Sequence, residues 1–195
     1  MYAVIMAGGK GTRFWPRSRE KMPKHLLDIV CERTIIQETI DRIAPLIPAE
    51  NVLIVTGISH AEELMKQVPQ IPEENVIIEP VGRNTAPCIG LAALHITRKS
   101  PGEIMVVLPA DHLIKDAKRF RHILSAAAEM AGRGDYLLTI GVRPTCPETG
   151  YGYLEEGAKK TTVKGEDIFD VKSIREKPAL PQAKAFLKRG GFYWN

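Results

Sequence analysis

Short apolar runs alternate with helix-like segments along the first 140 residues, and this alternation limits the fold more than any other feature. The helix-like segments carry apolar residues at helical spacing and span 35–43, 61–68, 85–97 and 120–130. The apolar runs predict strands at 3–6, 52–55, 76–78, 104–108 and 136–140. Several of these runs are almost continuously apolar, which is typical of strands covered on both faces. The pattern therefore predicts an α/β fold with a mostly parallel sheet and helices on both faces.

The pattern changes after about residue 141. Extended segments are predicted around 151–155 and 168–174, followed by a short helix over 181–188. The sequence contains no internal repeat and no low-complexity linker. With 195 residues, of which 44% are hydrophobic, the chain can bury a real core but is too short for two ordinary domains. We therefore expect residues 1–195 to form one domain.

Charge and cysteine content indicate which ligands the chain binds and in which compartment it folds. The formal net charge of +4 comes from 27 basic and 23 acidic residues spread along the chain, which favours an anionic small molecule over a nucleic acid. Cys31, Cys88 and Cys146 lie far apart with no C-x-x-C spacing, so neither a disulfide framework nor a zinc site is predicted. The apolar run over 2–7 is too short for a secretory signal or a membrane span. These features predict a cytoplasmic protein without a membrane or nucleic-acid partner.

A glycine-rich stretch, AGGKGTRFWPRSREKMPKH, follows the first predicted strand and covers residues 7–25. Glycines allow backbone N–H groups to approach phosphate oxygens closely, because no Cβ stands in the way. Arg13 and Lys24 supply compensating positive charge. The stretch predicts a binding loop for a nucleoside triphosphate; the alternative is a tight connection whose glycines serve only the turn.

Two commoner phosphate-binding loops do not fit this stretch. A Walker A loop requires a lysine directly after its second glycine, but Thr12 follows Gly11. The dinucleotide fingerprint requires a glycine at position 14 to complete the spacing that starts at Gly9, but Phe14 stands there. The second predicted strand also does not end in the acidic residue that would bind a ribose. Hydride chemistry is therefore disfavoured.

A second motif, EPVGRNTA, covers residues 79–86 at the end of the third predicted strand and enters a helix. A helix N-terminus offers unpaired N–H groups and the positive end of a dipole, and Asn84 or Thr85 could cap it. Capping alone is the structural alternative. Guanine presents N–H donors at N1 and N2, so Glu79 or a backbone carbonyl would be a suitable acceptor.

A third motif, LPADH, covers residues 108–112 and closes the most apolar predicted strand. Asp111 is placed where a carboxylate could hold Mg²⁺ against phosphate oxygens, since Mg²⁺ prefers hard oxygen ligands. A helix cap or a turn residue is the alternative for Asp111. His112 would orient the loop, approach phosphate or serve a structural role.

Two weaker motifs follow. ETGYGY over 148–153 brackets an aromatic residue with two glycines, which also fits a glycine-kinked strand. REKP over 175–178 places Glu176, a potential acceptor for hydroxyl groups, beside Lys177, a potential partner for phosphate. Taken alone, these two adjacent charges fit an exposed ion pair as well.

The five motifs, in this order, resemble those of the sugar-1-phosphate nucleotidylyltransferases. The continuation FWP over 14–16 and SR over 18–19 resembles the mannose-1-phosphate guanylyltransferase branch, and the resemblance spans nearly the whole chain. His25 stands where glutamine is expected most often. The resemblance implies a Rossmann-like, nucleotide-diphospho-sugar transferase fold. It also implies that the enzyme condenses GTP with mannose 1-phosphate to GDP-mannose and pyrophosphate with Mg²⁺ as cofactor.

The resemblance also assigns residues to roles. The implied catalytic residues are Arg13, Lys24 and Asp111, with Asp111 as the metal ligand. The residues implied to bind the sugar phosphate are Gly150, Tyr151, Gly152, Glu176, Lys177 and Asn195. The residues implied to bind the nucleotide are Ala7, Gly8, Gly9, Gly11, Thr12, Arg13, Lys24, Glu79, Pro80, Arg83, Asn84 and Thr85.

The sequence ends in three consecutive aromatic residues, 192–194, followed by Asn195. Such clustering predicts a core that continues beyond the chain, and the resemblance implies a missing segment with a second metal-binding aspartate and a further domain. We expect the N-terminal portion of a catalytic domain, with reduced activity of its own and an apolar edge that could form a homodimer. Alternatives are a different base or sugar, a non-catalytic nucleotide-sensing subunit and a dinucleotide-dependent oxidoreductase.

Overall fold

The computed structural model describes residues 1–8, 23–28 and 33–195, and these form two compact units, Met1–Ala128 and Glu129–Asn195. The strands of the first unit are β1 (Tyr2–Ala7), β2 (Val52–Gly57), β3 (Val76–Glu79) and β4 (Met105–Pro109). Its helices are α1 (Ile35–Ile43), α2 (Ile58–Gln67), α3 (Thr85–Lys99) and α4 (Ala117–Ala131), the last of which ends within the second unit. Among the helices of the described residues, none combines the length and the hydrophobicity that a membrane span requires.

The four strands of the first unit form one parallel sheet in the order β3-β2-β1-β4. In this sheet Ile5 of the central strand β1 lies opposite Ile54 of β2 and Leu108 of β4. Parallel pairing brings the carboxyl ends of all four strands to one edge. The predicted α/β fold with a mostly parallel sheet is confirmed.

The core of this unit lies between the sheet and the surrounding helices. Ala3, Val4 and Ile5 of β1 are completely buried. On one face, α3 contributes Cys88, Ala92 and Ile96, which recur every fourth residue and pack on a common cluster with β1, β2 and β3; its strand members are Tyr2, Val4, Leu53, Val55 and Ile77. Burial, and then the negative charge of Glu79, raise the pKa of Cys88 to about 11, so this thiol is a neutral core group at neutral pH.

The second unit is a three-stranded antiparallel sheet with one helix. Its elements are β5 (Gly152–Val163), β6 (Glu166–Glu176), α5 (Leu180–Arg189) and β7 (Phe192–Trp194), and the strand order is β6-β5-β7. The turn between β5 and β6 contains Lys164 and Gly165, both with positive φ, as a tight two-residue hairpin requires. Tyr153, Ala183 and Phe192 form the small core between sheet and helix.

Most elements occur where the sequence predicts them, and α1 has the predicted bounds. The predicted strand over 136–140 is wrong, because this segment lies outside the named strands. An apolar run becomes a strand only when a neighbouring edge supplies ladder hydrogen bonds. Here the Tyr136 N–H bonds locally to the Gly134 carbonyl, and Val142 forms only an isolated bridge with Trp194.

The close approach of β5 and β6 yields a test of the fold. A Cβ at Gly157 would lie 2.8 Å from the backbone carbonyl oxygen of Asp170, a contact that neither strand can relieve by a side-chain rotation. We expect Gly157→Ala to lower the free energy of unfolding by about 1–3 kcal/mol, as other overpacking substitutions do. Urea denaturation followed by circular dichroism measures this change.

Gly90→Ala is the matched control. No atom lies within 4 Å of a Cβ at this helical glycine, so the substitution should stabilise α3 slightly. An unfolding midpoint for Gly157→Ala equal to that of the unsubstituted chain would contradict the packing described for the hairpin.

Candidate functional site

The carboxyl edge of the parallel sheet gathers several of the predicted residues. The Thr56 hydroxyl donates a hydrogen bond of 3.1 Å to the Ala7 carbonyl, which ties the end of β1 to the end of β2. On the other side of β1, the Ala110 N–H donates to the Met6 carbonyl at 3.1 Å. Ligands of parallel α/β sheets bind beyond this edge, so its residues form the candidate site.

Gly8 and Glu79 lie close together at this edge. A Cβ at Gly8 would be 3.8 Å from Glu79 Oε2, so the beginning of the glycine-rich stretch runs beside the carboxylate that ends β3. Glu79 is half-buried, whereas Pro80, Arg83 and the other residues of the loop before α3 are exposed. The structure therefore brings two separate parts of the predicted nucleotide site together.

The loop ends at Asn84, which occupies the N-cap position of α3 with a φ of 68°. Within the described chain, its side chain makes no capping hydrogen bond, so capping by Asn84 is wrong. Thr85 is already the first residue of the helix.

Lys24 and Asp111 form an ion pair. The Lys24 ammonium contacts the Asp111 carboxylate, and the side chains are only 25% and 21% exposed. Asp111 is the second residue after β4, at the carboxyl end of the strand as predicted. Lys24 begins a short 3₁₀ turn, Lys24–Leu26. Two predicted catalytic residues, far apart in sequence, therefore meet at the same sheet edge.

The turn that carries Lys24 is anchored by its neighbours. His25 is 2% exposed, and its ring packs edge-on against the ring of His60 with centroids 6.1 Å apart. The Ile35 N–H donates to the Leu27 carbonyl at 3.2 Å, which attaches the turn to the start of α1. The role of His25 as an anchor was not predicted from the sequence; the histidine in place of the expected glutamine was the available signal.

Burial is the main cause of an unusual protonation state at His25. Desolvation, followed by the neighbouring His60 and the positive charge of Lys24, lowers the pKa of His25 from 6.5 to about 4. His25 is therefore neutral at neutral pH. Protonation would place a second positive charge beside Lys24 in a poorly solvated position.

Arg42 also lies near the site, although no sequence motif predicted it. It is 7% exposed on the inward side of α1 and donates a 3.2 Å hydrogen bond to the carbonyl of His112, next to Asp111. Desolvation, followed by the positive charges of Lys24 and Arg42, lowers the pKa of His112. An arginine in register with the buried isoleucines of an amphipathic helix was the signal for such a role.

The predicted sugar-phosphate residues form a second group, in the unit Glu129–Asn195. Gly152 lies opposite Glu176 in the β5–β6 ladder, and the Asn195 N–H donates to the Gly152 carbonyl at 3.0 Å. The Lys177 N–H donates to the Tyr151 carbonyl at 3.1 Å. Backbone pairing alone therefore brings these residues together at one end of the sheet.

Side chains extend this group. The Lys177 ammonium pairs with Glu176 at 2.9 Å, and both side chains are exposed. The Thr139 hydroxyl contacts the Asn195 side-chain oxygen at 2.7 Å. Gly150 precedes the strand, and its N–H donates to the Glu148 carboxylate at 2.9 Å. Glu176 and Lys177 thus form the exposed ion pair that was the alternative interpretation of the REKP motif. The pair lies among the residues predicted to bind the sugar phosphate.

Part of the predicted site lies outside the described residues: Gly9, Gly11, Thr12 and Arg13. Within the described ranges, no group of three or more histidine, cysteine or carboxylate side chains could hold a metal ion. Asp111 remains the carboxylate that Lys24 contacts at the edge of the parallel sheet. Mg²⁺ is commonly held by one or two carboxylates together with phosphate oxygens of the substrate. A single carboxylate such as Asp111 therefore fits a Mg²⁺ site that the substrate completes.

Known proteins resemble this chain over nearly its whole length. The family model described as nucleotidyl transferase matches residues 2–195, and the chain belongs to that family. It is 40% identical over 194 residues to the xanthan biosynthesis protein XanB of Xanthomonas campestris, covering 98% of this chain and 40% of that protein. It is 39% identical over 199 residues to a mannose-1-phosphate guanylyltransferase of Escherichia coli, covering 98% of this chain and 42% of that protein.

A solved structure shows the same fold. It is described as a mannose-1-phosphate geranyltransferase from Thermus thermophilus and superposes with a TM-score of 0.88 at 34% identity, covering 100% of this chain and 55% of that one. The chain spans about two fifths of the length of the curated relatives named above. The resemblance to the nucleotidylyltransferases is thereby confirmed, as is the nucleotide-diphospho-sugar transferase fold.

The buried His25 gives a pH-dependent prediction. In the unfolded chain His25 takes up a proton near pH 6.5, whereas in the folded chain it does so only near pH 4. The contribution of His25 to the free energy of unfolding is therefore fully present above pH 6.5 and is lost as pH falls from 6.5 to 4. The shift corresponds to a loss of about 3 kcal/mol, measurable by urea denaturation at a series of pH values.

His25→Gln should flatten this dependence, because glutamine does not titrate in this range. His95→Gln is the control, since it removes an exposed histidine of α3 and leaves the buried His25 in place. Identical slopes for His25→Gln and the unsubstituted chain would show that His25 is not buried in its neutral form.

Proposed function

We propose that this chain carries the nucleotide-transfer machinery of a mannose-1-phosphate guanylyltransferase. The reaction would condense GTP with mannose 1-phosphate to form GDP-mannose and pyrophosphate. The observation that carries this proposal is the Lys24–Asp111 pair at the carboxyl edge of the parallel sheet, in a chain of the nucleotidyl transferase family. The E. coli relative named as a mannose-1-phosphate guanylyltransferase supports the choice of substrates.

The chemistry requires charge stabilisation more than proton transfer. A phosphate oxygen of mannose 1-phosphate forms a new bond to the α-phosphorus of GTP while the bond from that phosphorus to the bridging oxygen of the β-phosphate breaks. The attacking oxygen is already anionic near neutral pH, so no general base is needed. Lys24, together with Arg13, would neutralise the triphosphate and the negative charge that develops on the leaving pyrophosphate.

Asp111 would hold Mg²⁺, which supplies charge neutralisation at the phosphate oxygens when bound. Asp111 is already paired with Lys24, so a bound cation would share the carboxylate with Lys24 or displace it. Glu79 would accept hydrogen bonds from the N1 and N2 donors of guanine, beside the backbone of Gly8.

The second group of residues would bind the sugar phosphate. Lys177 would neutralise the phosphate, and Glu176 and Asn195 would bind sugar hydroxyls. Gly152 would allow the substrate to approach the backbone. A cytoplasmic location fits this chemistry, since GTP and sugar phosphates are supplied there, and formation of a homodimer stays a prediction.

Nucleotide titration tests the proposal directly. Calorimetry with GTP, ATP and UTP, each with and without Mg²⁺, should give at least about tenfold tighter binding for GTP with Mg²⁺, a difference of about 1.4 kcal/mol. Lys24→Ala should weaken that binding by a similar factor, because it removes a cation from the triphosphate. Lys66→Ala is the matched control, since Lys66 also forms an ion pair but is exposed on α2.

Equal affinity for all three nucleotides would contradict the choice of guanine. Equal effects of Lys24→Ala and Lys66→Ala would remove Lys24 from the site. Circular dichroism of each variant establishes that a lost affinity does not reflect unfolding.

The sugar-phosphate group has its own test. A Cβ at Gly152 would lie 2.9 Å from Glu176 Oε2, and the flexible end of that side chain can move aside. Gly152→Ala should therefore change stability little but displace Glu176 and weaken mannose 1-phosphate binding about tenfold. Isothermal titration with mannose 1-phosphate measures the effect, with Gly90→Ala as the control, and unchanged binding by Gly152→Ala would count against this group.

A further inference from the structure

Arg42 occupies a position where an apolar side chain would ordinarily lie. It belongs to the buried side of α1 together with Ile36, Ile40 and Ile43, and only 7% of it is exposed. Desolvation lowers the pKa of Arg42, with Glu38 one helical turn earlier acting in the opposite direction. Burying a guanidinium is unfavourable unless its donors are used, so its hydrogen bonds indicate what the residue does.

The Arg42 guanidinium donates its hydrogen bond to a residue of the candidate site. Arg42 Nη2 donates to the backbone carbonyl of His112 at 3.2 Å, and His112 directly follows Asp111 in the turn between β4 and α4. The two preceding residues of this turn are also held. The Ala110 N–H donates to Met6 of β1, and the Asp111 carboxylate pairs with Lys24. Three consecutive residues are thus fixed from three different segments of the chain.

Arg42 is itself fixed at both ends. Arg121 of α4 donates a 2.9 Å hydrogen bond to the backbone carbonyl of Arg42, in the last turn of α1, where carbonyls lack helical partners. The backbone of Arg42 is therefore held by α4, while its guanidinium bonds to the turn that carries Asp111. A charged donor in this position restrains the carbonyl of His112 more strongly than a neutral donor would.

We propose that Arg42 is a positioning residue that holds the Asp111–His112 turn and thereby sets the Asp111 carboxylate for the Mg²⁺ complex of GTP. This inference rests on the proposed function, because it assigns Asp111 to that complex. Arg42 itself touches the turn and not the nucleotide. A purely structural role would change the stability of α1 and leave the turn and the nucleotide affinity as they are.

The first measurement does not require a ligand. Hydrogen-deuterium exchange of peptides covering residues 110–116 should be at least about fivefold faster in Arg42→Met, because loss of a hydrogen bond to a charged donor weakens the turn by that factor or more. Arg42→Lys keeps a cationic donor and should restore part of the protection. Arg98→Met is the matched control, since Arg98 lies in the last turn of α3 but is exposed.

The second measurement is calorimetric titration of GTP with and without Mg²⁺ on the same variants. Arg42→Met should weaken binding in the presence of Mg²⁺ about tenfold and have a smaller effect without it. In an Asp111→Asn background, Arg42→Met should have little further effect, because the residue that it positions no longer carries charge. Such non-additivity identifies action through Asp111.

The possible outcomes distinguish a failure of the proposed function from a failure of the role proposed for Arg42. If the unsubstituted chain does not bind GTP, the proposed function is wrong and this inference fails with it. If that chain binds GTP with Mg²⁺ but Arg42→Met binds equally well, the inference alone is overturned. Faster exchange without an affinity change, or full additivity with Asp111→Asn, also overturns it.

Discussion

The pairing of β1 with strands on both sides is the constraint on which the rest of the first unit depends. Because β1 lies between β2 and β4 in parallel register, residues 7, 56 and 110 must arrive at the same edge of the sheet. Hydrogen bonds from Thr56 and from Ala110 to the last carbonyls of β1 then fix that edge. The Lys24–Asp111 pair forms where this edge meets the turn of residues 24–26.

The polar groups around this edge are held by two buried residues, His25 and Arg42. His25 anchors the turn that carries Lys24, and Arg42 holds the carbonyl next to Asp111. Both are ionisable groups in poorly solvated positions, and burial lowers the pKa of each. The partly exposed charges of Lys24 and Asp111 are thus supported by the buried ring of His25 and the buried guanidinium of Arg42.

The sequence predicted the α/β class and most elements, because nearly continuous apolar runs and helical periodicity reflect burial directly. It also placed Asp111 and Glu79 at strand ends, where topology brings them to one edge. It failed at 136–140, since a strand depends on a partner edge that no local pattern reveals. It missed His25 and Arg42 for the same reason: their roles come from neighbours distant in sequence.

The irregular pairing of β5 and β6 has a consequence for the second unit. From Gly152 to Glu155 the ladder is regular, whereas the register shifts between Glu155 and Thr161. The shifted segment lies between the regular pairing next to Glu176 and Asn195 and the distal turn at Lys164 and Gly165. Insertions or deletions near that distal turn can therefore be absorbed locally, which makes the tip of the hairpin the part of this sheet whose length is freest to vary.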